Sequence, residues 1–412
     1  MAIILDGTNG ITNVNGTAAV PAITGSDTDT GLYFGTNTLG LSTNGSAALT
    51  IDTSQNATVV GTLAMSSSFL RNRIINGDMR IDQRNAGASV TITTSNQYTL
   101  DRWQGGSTVS SKFSVQQNAG SVTPPAGFTN YLGCTSLAAT SLGASDYYVV
   151  QQKIEGLNIS DLAWGTASAV TVTLSFWVRS SLTGTFGGVI QNSAGNRSYP
   201  FSYTITAANT WEKETITIAG DTSGTWLTTN GIGMYLLFSL GTGSTFSGTA
   251  GSWSGSNFLS ATGATSVVGT NGATFYITGV QLEVGTSATP FERRMYTTEL
   301  QLCQRYCPMV GPVVADSFSA VGYTISTTQG RVVFQFPVTA RTAPTGITVT
   351  NPTGFALAPP FARAASAVAF SESNTQYASV DVTVTGLTAN QPTTLRIGSS
   401  GGCKIEFTGC EL

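Results

Sequence analysis

The chain has 412 residues, too many for one hydrophobic core, so two or three domains are expected. Only 9% of the residues are charged, against about 25% in ordinary globular proteins, while 41% are hydrophobic, 47 are glycine and the net charge is −3. This balance excludes a disordered chain and a basic nucleic-acid surface, no apolar run approaches the about 18 residues of a spanning helix, and the absence of histidine removes Ser-His-Asp, Cys-His and His-metal chemistry.

Residues 1–68 carry Asp6, Asp27, Asp29 and Asp52 as their charged side chains, and the first cation of the chain is Arg71. Without an early positive segment no secretory signal is indicated, and folding in a cytoplasm is expected. Short alternating runs around Ile3, Leu5, Leu41, Leu49 and Ile51 are separated by Asn9-Gly10, Asn15-Gly16 and Asn44-Gly45. Asn-Gly supplies the positive φ angles of tight hairpin turns. Strand patterning with so little apolar bulk cannot offset about 1–2 kcal/mol of backbone entropy per residue, so this segment is expected to share a core with other chains.

Residues 69–293 read as a β-sandwich, with strands expected over 169–179, 215–219, 233–239 and 273–284. Val170, Val172, Leu174 and Phe176 alternate onto one face, and Trp177 breaks the alternation, as in a strand covered on both sides. A Gly/Ser/Thr-rich stretch over 241–272 is expected to be functional or to pack down as a flap. A helix is expected over 294–307 (domain segment 294–308), capped by Thr297 or Thr298, with Glu299 in its first turn and Pro308 closing it. Residues 309–412 return to strands, at 331–338, 346–350, 380–385 and 404–408, as a smaller β-sandwich. In the last strand Ile405 and Phe407 point inward. The fold class is all-β with one short linker helix.

Cys134, Cys303, Cys307, Cys403 and Cys410 fit no tight zinc spacing and are expected as buried free thiols. No cofactor and no metal is expected. Sugar recognition needs exposed rings beside amides or carboxylates. Trp226, near a turn, and Trp253, in the long loop, are candidate stacking rings, the latter set against a framework role. Phe355 and Tyr377 are the corresponding candidates in the C-terminal sandwich, near loops 351–358 and 371–377, set against ordinary loop aromatics packed on their own domain. Asp146, Glu155, Asp161 and Glu212 could supply a carboxylate pair for glycoside cleavage, but nothing in the sequence brings two of them together.

Three stretches resemble bacteriophage tail-fibre proteins. The first is Gly25-Ser26-Asp27-Thr28-Asp29-Thr30-Gly31-Leu32-Tyr33 with the hairpins after it. The second is Asn72-Arg73-Ile74-Ile75-Asn76-Gly77-Asp78-Met79, followed by Asp101-Arg102-Trp103. The third is Gly279-Val280-Gln281-Leu282-Glu283-Val284-Gly285, with Pro290-Phe291-Glu292-Arg293-Arg294 and Gln304-Arg305-Tyr306. The resemblance implies a carbohydrate-binding-like jelly roll for residues 69–293. It also implies a homotrimer whose intertwined N-terminal segment places Ile3, Leu5, Leu41, Leu49 and Ile51 on a shared axis. A non-catalytic virion protein follows, assembled in a bacterial cytoplasm, joined to other tail proteins by its N-terminus and touching host glycan with distal β domains. It inserts into no membrane and binds no nucleic acid. A purely structural collar, baseplate or capsid-fibre role is the alternative, and a polysaccharide-cleaving tailspike a further one. Related jelly rolls hold Ca²⁺ between an Asn-Gly-Asp strand and an acid in the final strand; here Asn76-Gly77-Asp78 is present, but Thr278 stands where the acid would be.

Overall fold

The computed structural model describes residues 4–6, 10–12, 15–60, 71–311, 318–358, 362–397 and 402–412. The chain forms two compact units, Met1–Ser68 and Phe69–Leu412. Among the described residues no helix is long and apolar enough to cross a membrane.

In the first unit, Ile4–Asp6 pairs with Gly10–Thr12, and a separate five-stranded antiparallel meander follows: Ile23–Thr24, Gly31–Gly35, Thr38–Thr43, Ser46–Ile51 and Ala57–Val59. Asn44 and Gly45, at φ 50° and 68°, make the two-residue turn between paired Thr43 and Ser46. The register aligns Ile23, Leu32, Leu41, Leu49 and Val59 in one cross-strand row, and Phe34, Leu39, Ile51 and Ala57 in the next. Ile23, Leu39, Leu41 and Val59 of these rows remain exposed. Ile3, and the side chain of Leu5, lie outside the described residues.

The second unit opens with a jelly-roll sandwich of two six-stranded antiparallel sheets. The front sheet runs Ser198–Ile205, Gly184–Asn192, Ile232–Thr242, Tyr147–Glu155, Trp103–Ser107, Gln97–Tyr98. The back sheet runs Glu212–Ile218, Val172–Ser180, Thr274–Val284, Leu132–Ser136, Phe113–Gln117, Val90–Thr91. Val172, Leu174 and Phe176 enter the core as their alternation predicts, beside Trp103, Phe186, Phe238 and Phe275. The segment 241–272 does pack down as a flap: Ser247–Gly248 pairs with Ser260–Ala261, and the latter lies where a Cβ on Gly187 would stand 2.6 Å from Ser260 Oγ, so glycine there admits the flap.

The helix spans Tyr296–Gln304 and begins at an extended Met295, without a side-chain cap. Thr297 and Thr298 therefore lie inside the first turn rather than capping it. Glu299 stands in the first turn as expected and points inward: its carboxylate accepts the Asn76 backbone N–H and a 3.3 Å contact from Arg294, tying the helix to the opening segment of the sandwich.

The C-terminal sandwich faces a seven-stranded sheet against a three-stranded one. The first runs Arg363–Ala364, Phe355–Ala358, Pro392–Ile397, Phe318–Thr324, Gln329–Gln335, Tyr377–Thr383, Ala367–Ser373. The second runs Met309–Val310, Lys404–Thr408, Gly346–Thr350. Phe334, Leu357, Val380, Leu395, Ile405 and Phe407 fill the space between.

A charge network binds this sandwich to the jelly roll. Arg102, fully buried, meets Glu411 at 2.5 Å and lies 3.6 Å from the Tyr306 ring centroid. Arg84 bridges Glu406 and Glu411, both at 2.8 Å. Arg305 grips Glu155 with two bonds of 2.9 and 2.6 Å, and the Tyr306 hydroxyl donates to the same carboxylate at 2.6 Å. Lys153 Nζ and the Tyr98 hydroxyl both donate to the Leu412 carbonyl at 2.9 Å.

Candidate functional site

Along Tyr147–Glu155, alternate side chains Tyr148, Val150 and Ile154 enter the core. Period-two geometry sends Tyr147, Val149, Gln151 and Lys153 to the outer face of the front sheet. The neighbouring strand does the same: Met234, Leu236, Phe238 and Leu240 are core, while Tyr235, Leu237 and Ser239 face out. Cross-strand register places Gln104 beside Gln151, Gln151 beside Leu237, Leu237 beside Val189, and Tyr235 between Lys153 and Gln191.

Two loops wall this floor into a cleft of about 200 Å³. Ser95 and Asn96 stand on one side, with Asn96 at φ 63°. Phe246, Asn257 and Leu259 of the flap stand on the other, Phe246 meeting Tyr147 edge-on at 5.8 Å. The amides are held in fixed orientations. Gln151 Nε2 donates to Asn96 Oδ1 at 2.9 Å and to Gln104 Oε1 at 3.1 Å, and Gln191 Nε2 donates to Asn257 Oδ1 at 2.6 Å. The carbonyl oxygens of Gln151 and Gln191 and the amide nitrogens of Asn96 and Asn257 keep hydrogen-bonding capacity. Burial pushes the Tyr235 phenol up, so it stays a neutral donor. Among the described residues no charged side chain lines the cleft. Rings beside oriented amides, without charge, suit a neutral polyhydroxylated ligand, whose C–H faces stack and whose hydroxyls both donate and accept.

The rings singled out in the sequence lie elsewhere. Trp226 is buried, and with Trp164 and Trp253 it forms a mutual edge-to-face cluster with centroids 4.8–5.5 Å apart. Trp226 Nε1 donates to Asp221 at 3.2 Å, and Trp253 Nε1 to the Ala219 carbonyl at 2.8 Å, so both serve to close the flap onto the sandwich. Phe355 has no exposed surface and sits in the C-terminal core, so it is the packed aromatic of the two readings and the contact-ring candidacy is corrected. Tyr377 is 37% exposed, on the outer face of the seven-stranded sheet. The four acids each have their own structural partner: Asp146 accepts from Gly143 N and Thr108, Glu155 from Arg305 and Tyr306, Asp161 from Arg73, and Glu212 from Thr206 and Ala207.

The residues considered for calcium do not fit the ion. Asp78 is paired with Arg80 at 2.5 Å, the Asn76 amide donates to the Ile81 and Asp101 carbonyls, and Thr278 Oγ1 donates to the Asn130 carbonyl at 2.7 Å. These groups spend their polar atoms on the protein, short of the about 6–8 free oxygens that Ca²⁺ takes. Among the described residues no three His, Cys, Asp or Glu side chains gather into a metal site.

No family model and no curated protein matches this chain. Solved structures with partial likeness include the enzymatically active domain of tailspike protein 4 of bacteriophage CBA120, at 11% identity and TM-score 0.28, covering 54% of this chain and 24% of that one. A sugar-binding protein of Bacteroides thetaiotaomicron, so described only provisionally, aligns at 13% identity and TM-score 0.31, over 52% of this chain and all of its own. The family 11 carbohydrate-binding module of the cellulase Lic26A-Cel5E of Clostridium thermocellum aligns at 12% identity and TM-score 0.24, over 49% and 98%. What the cleft can do follows from its own side chains.

Proposed function

We propose that this chain is a non-catalytic phage tail-fibre protein that binds neutral glycan on the host surface in the front-sheet cleft. The supporting observation is the cleft itself, where Tyr147, Tyr235 and Phe246 stand beside Gln151, Gln191, Asn96 and Asn257 with no charged group among them. The N-terminal unit joins three copies into a homotrimer and attaches them to other tail proteins in the virion. Its supporting observation is the apolar face centred on Leu41, which is 45% exposed in the single chain and needs a second layer to leave water. Binding per site is weak, and three linked sites raise avidity by roughly 10²-fold or more.

The test is adsorption of the intact protein to host cells and to a neutral-glycan array, beside Tyr235→Ala and Gln191→Ala variants. Each truncation is expected to weaken binding by about 5–30-fold, equivalent to about 1–2 kcal/mol, with little dependence on salt. Binding unchanged in both variants would refute the cleft. No binding to any cell or glycan would favour the purely structural virion role.

A further inference from the structure

The outer face of the seven-stranded C-terminal sheet carries a patch that neither the core nor the cleft uses. Val321 is 69% exposed, Tyr323 50%, Val333 44% and Tyr377 37%. Register puts Val321 directly beside Val333, and Tyr323 beside Arg331. Arg331 in turn lies opposite Asp381, which it grips with two bonds of 2.7 and 3.0 Å, and Gln335 lies opposite Tyr377. The opposite face of the same strands, with Val332, Phe334, Val380 and Val382, is the domain core. The patch is therefore a second apolar surface on a sheet that already has one.

We propose that this face is a contact surface between copies of this chain. The inference rests on the homotrimer reading above. Its chemistry fits protein rather than sugar: two valines at its centre offer no hydrogen bond, and Arg331 and Asp381 beside them are already paired with each other. Tyrosine and arginine around an aliphatic centre are the composition of protein interfaces. The size indicates which protein. The exposed parts of these four side chains sum to roughly 350–400 Å², within the range of the largest patch on a monomer. That is about half of the about 800 Å² that each partner of a stable complex contributes. A freely diffusing partner would be held weakly by it, whereas a tethered copy meets it at an effective concentration of about millimolar, where a small contact suffices. The N-terminal assembly supplies that tether.

The test uses the full chain with a reporter thiol, because the native cysteines are all buried. Val333→Cys is compared with Leu137→Cys, a site 43% exposed on the jelly roll. In the assembled protein a maleimide carrying polyethylene glycol is expected to label Val333→Cys at least about 10-fold more slowly than Leu137→Cys, and a short bismaleimide to join chains at Val333→Cys only. A Val321→Glu, Val333→Glu pair combined with Tyr377→Cys is expected to restore labelling to the rate of the control. Equal labelling of the two sites, in a sample whose light scattering gives three chain masses, overturns this contact and leaves the homotrimer standing. A single chain mass overturns both.

Discussion

Glu155 lets the joint between the two sandwiches be tested by itself. Its side chain is 1% exposed and accepts two bonds from Arg305 and one from Tyr306. Glu155→Ala removes all three and leaves the buried Tyr306 hydroxyl without its short acceptor, a loss of about 1–3 kcal/mol. Arg305 is 30% exposed and regains water, so its share is discounted to about 1 kcal/mol. The expected total is about 3 kcal/mol. Glu155→Gln keeps one carbonyl oxygen for Tyr306 and should cost about 1–1.5 kcal/mol. All six tryptophans lie between residues 103 and 253, so denaturant unfolding followed by tryptophan fluorescence reports the jelly roll, while circular dichroism reports every strand. The two transitions should coincide in the parent chain and separate in Glu155→Ala, the C-terminal sandwich melting first. Alanine and glutamine variants of equal stability, or transitions still coincident in Glu155→Ala, would refute the reasoning. Burial pushes the Glu155 carboxyl up, but the Arg305 and Tyr306 hydrogen bonds outweigh it and hold it below its ordinary value of 4.5. A depressed carboxylate stabilises the fold above its unfolded pKa and loses that contribution as pH falls through the folded one. The gap between parent and Glu155→Gln should therefore hold from pH 7 to about 5 and shrink below about 4.5.

Leu41→Asp, in the middle of the apolar N-terminal row, should lower the scattering mass from three chains to one while leaving the tryptophan fluorescence of the jelly roll unchanged; three chain masses would count against the shared face. Deleting residues 1–68 should give a soluble chain that no longer enters particles, and normal incorporation would refute the assigned polarity. Burial raises the Cys303 and Cys307 thiols and pushes Cys410 up to about 12, so thiol reagents at pH 8 should find almost nothing until the protein is denatured, then five groups. Fewer than five after denaturation, or zinc by elemental analysis, would reverse that expectation.

The fold was legible where one face of a strand is apolar and the other polar. Ile405 and Phe407 against Lys404 and Glu406, or the run from Val172 to Phe176, state their burial by period alone. The cleft was harder to read for the opposite reason. Tyr147-Tyr148-Val149-Val150-Gln151-Gln152 repeats each residue type in pairs, so alternation is hidden and both faces look half-buried. The doubled pattern is itself the signal, since a strand with rings and amides on its non-core face has something to meet there. Tryptophan in a glycine-rich loop misleads because a ring can serve to hold the loop down, as Trp253 does against Trp164, Trp226 and Tyr199. The helix starts after an extended Met295, so Thr297 and Thr298 fall inside it rather than capping it, while Glu299 stands in the first turn as expected and is also held by Asn76, more than 200 residues away in sequence, and by Arg294.

The scarcity of charge and its placement point the same way. Arg84, Arg102, Lys153, Arg305 and Arg341 all reach the joint between the sandwiches, where Glu155, Glu406, Glu411 and the last carbonyls receive them. Arg71 ties the opening segment of the jelly roll to Glu283, Arg80 pairs with Asp78 within that segment, and Arg294, bonded to the Asn72 and Ile74 carbonyls, pairs with Glu292 and Glu299. Among the described residues no charged side chain lines the cleft, and Arg331 and Asp381 in the patch around Val333 are bonded to each other. Charges held inside the joints are screened little by salt, whereas exposed ones are screened strongly. The physical consequence is a separation of responses: acid should loosen the joints through carboxylates such as Glu155, while moderate salt should leave both recognition and assembly nearly unchanged. Adsorption and scattering mass measured from about 50 to 500 mM salt at pH 7 test it directly. A steep salt dependence of either would mean that charged groups outside the cleft and the patch carry the contact.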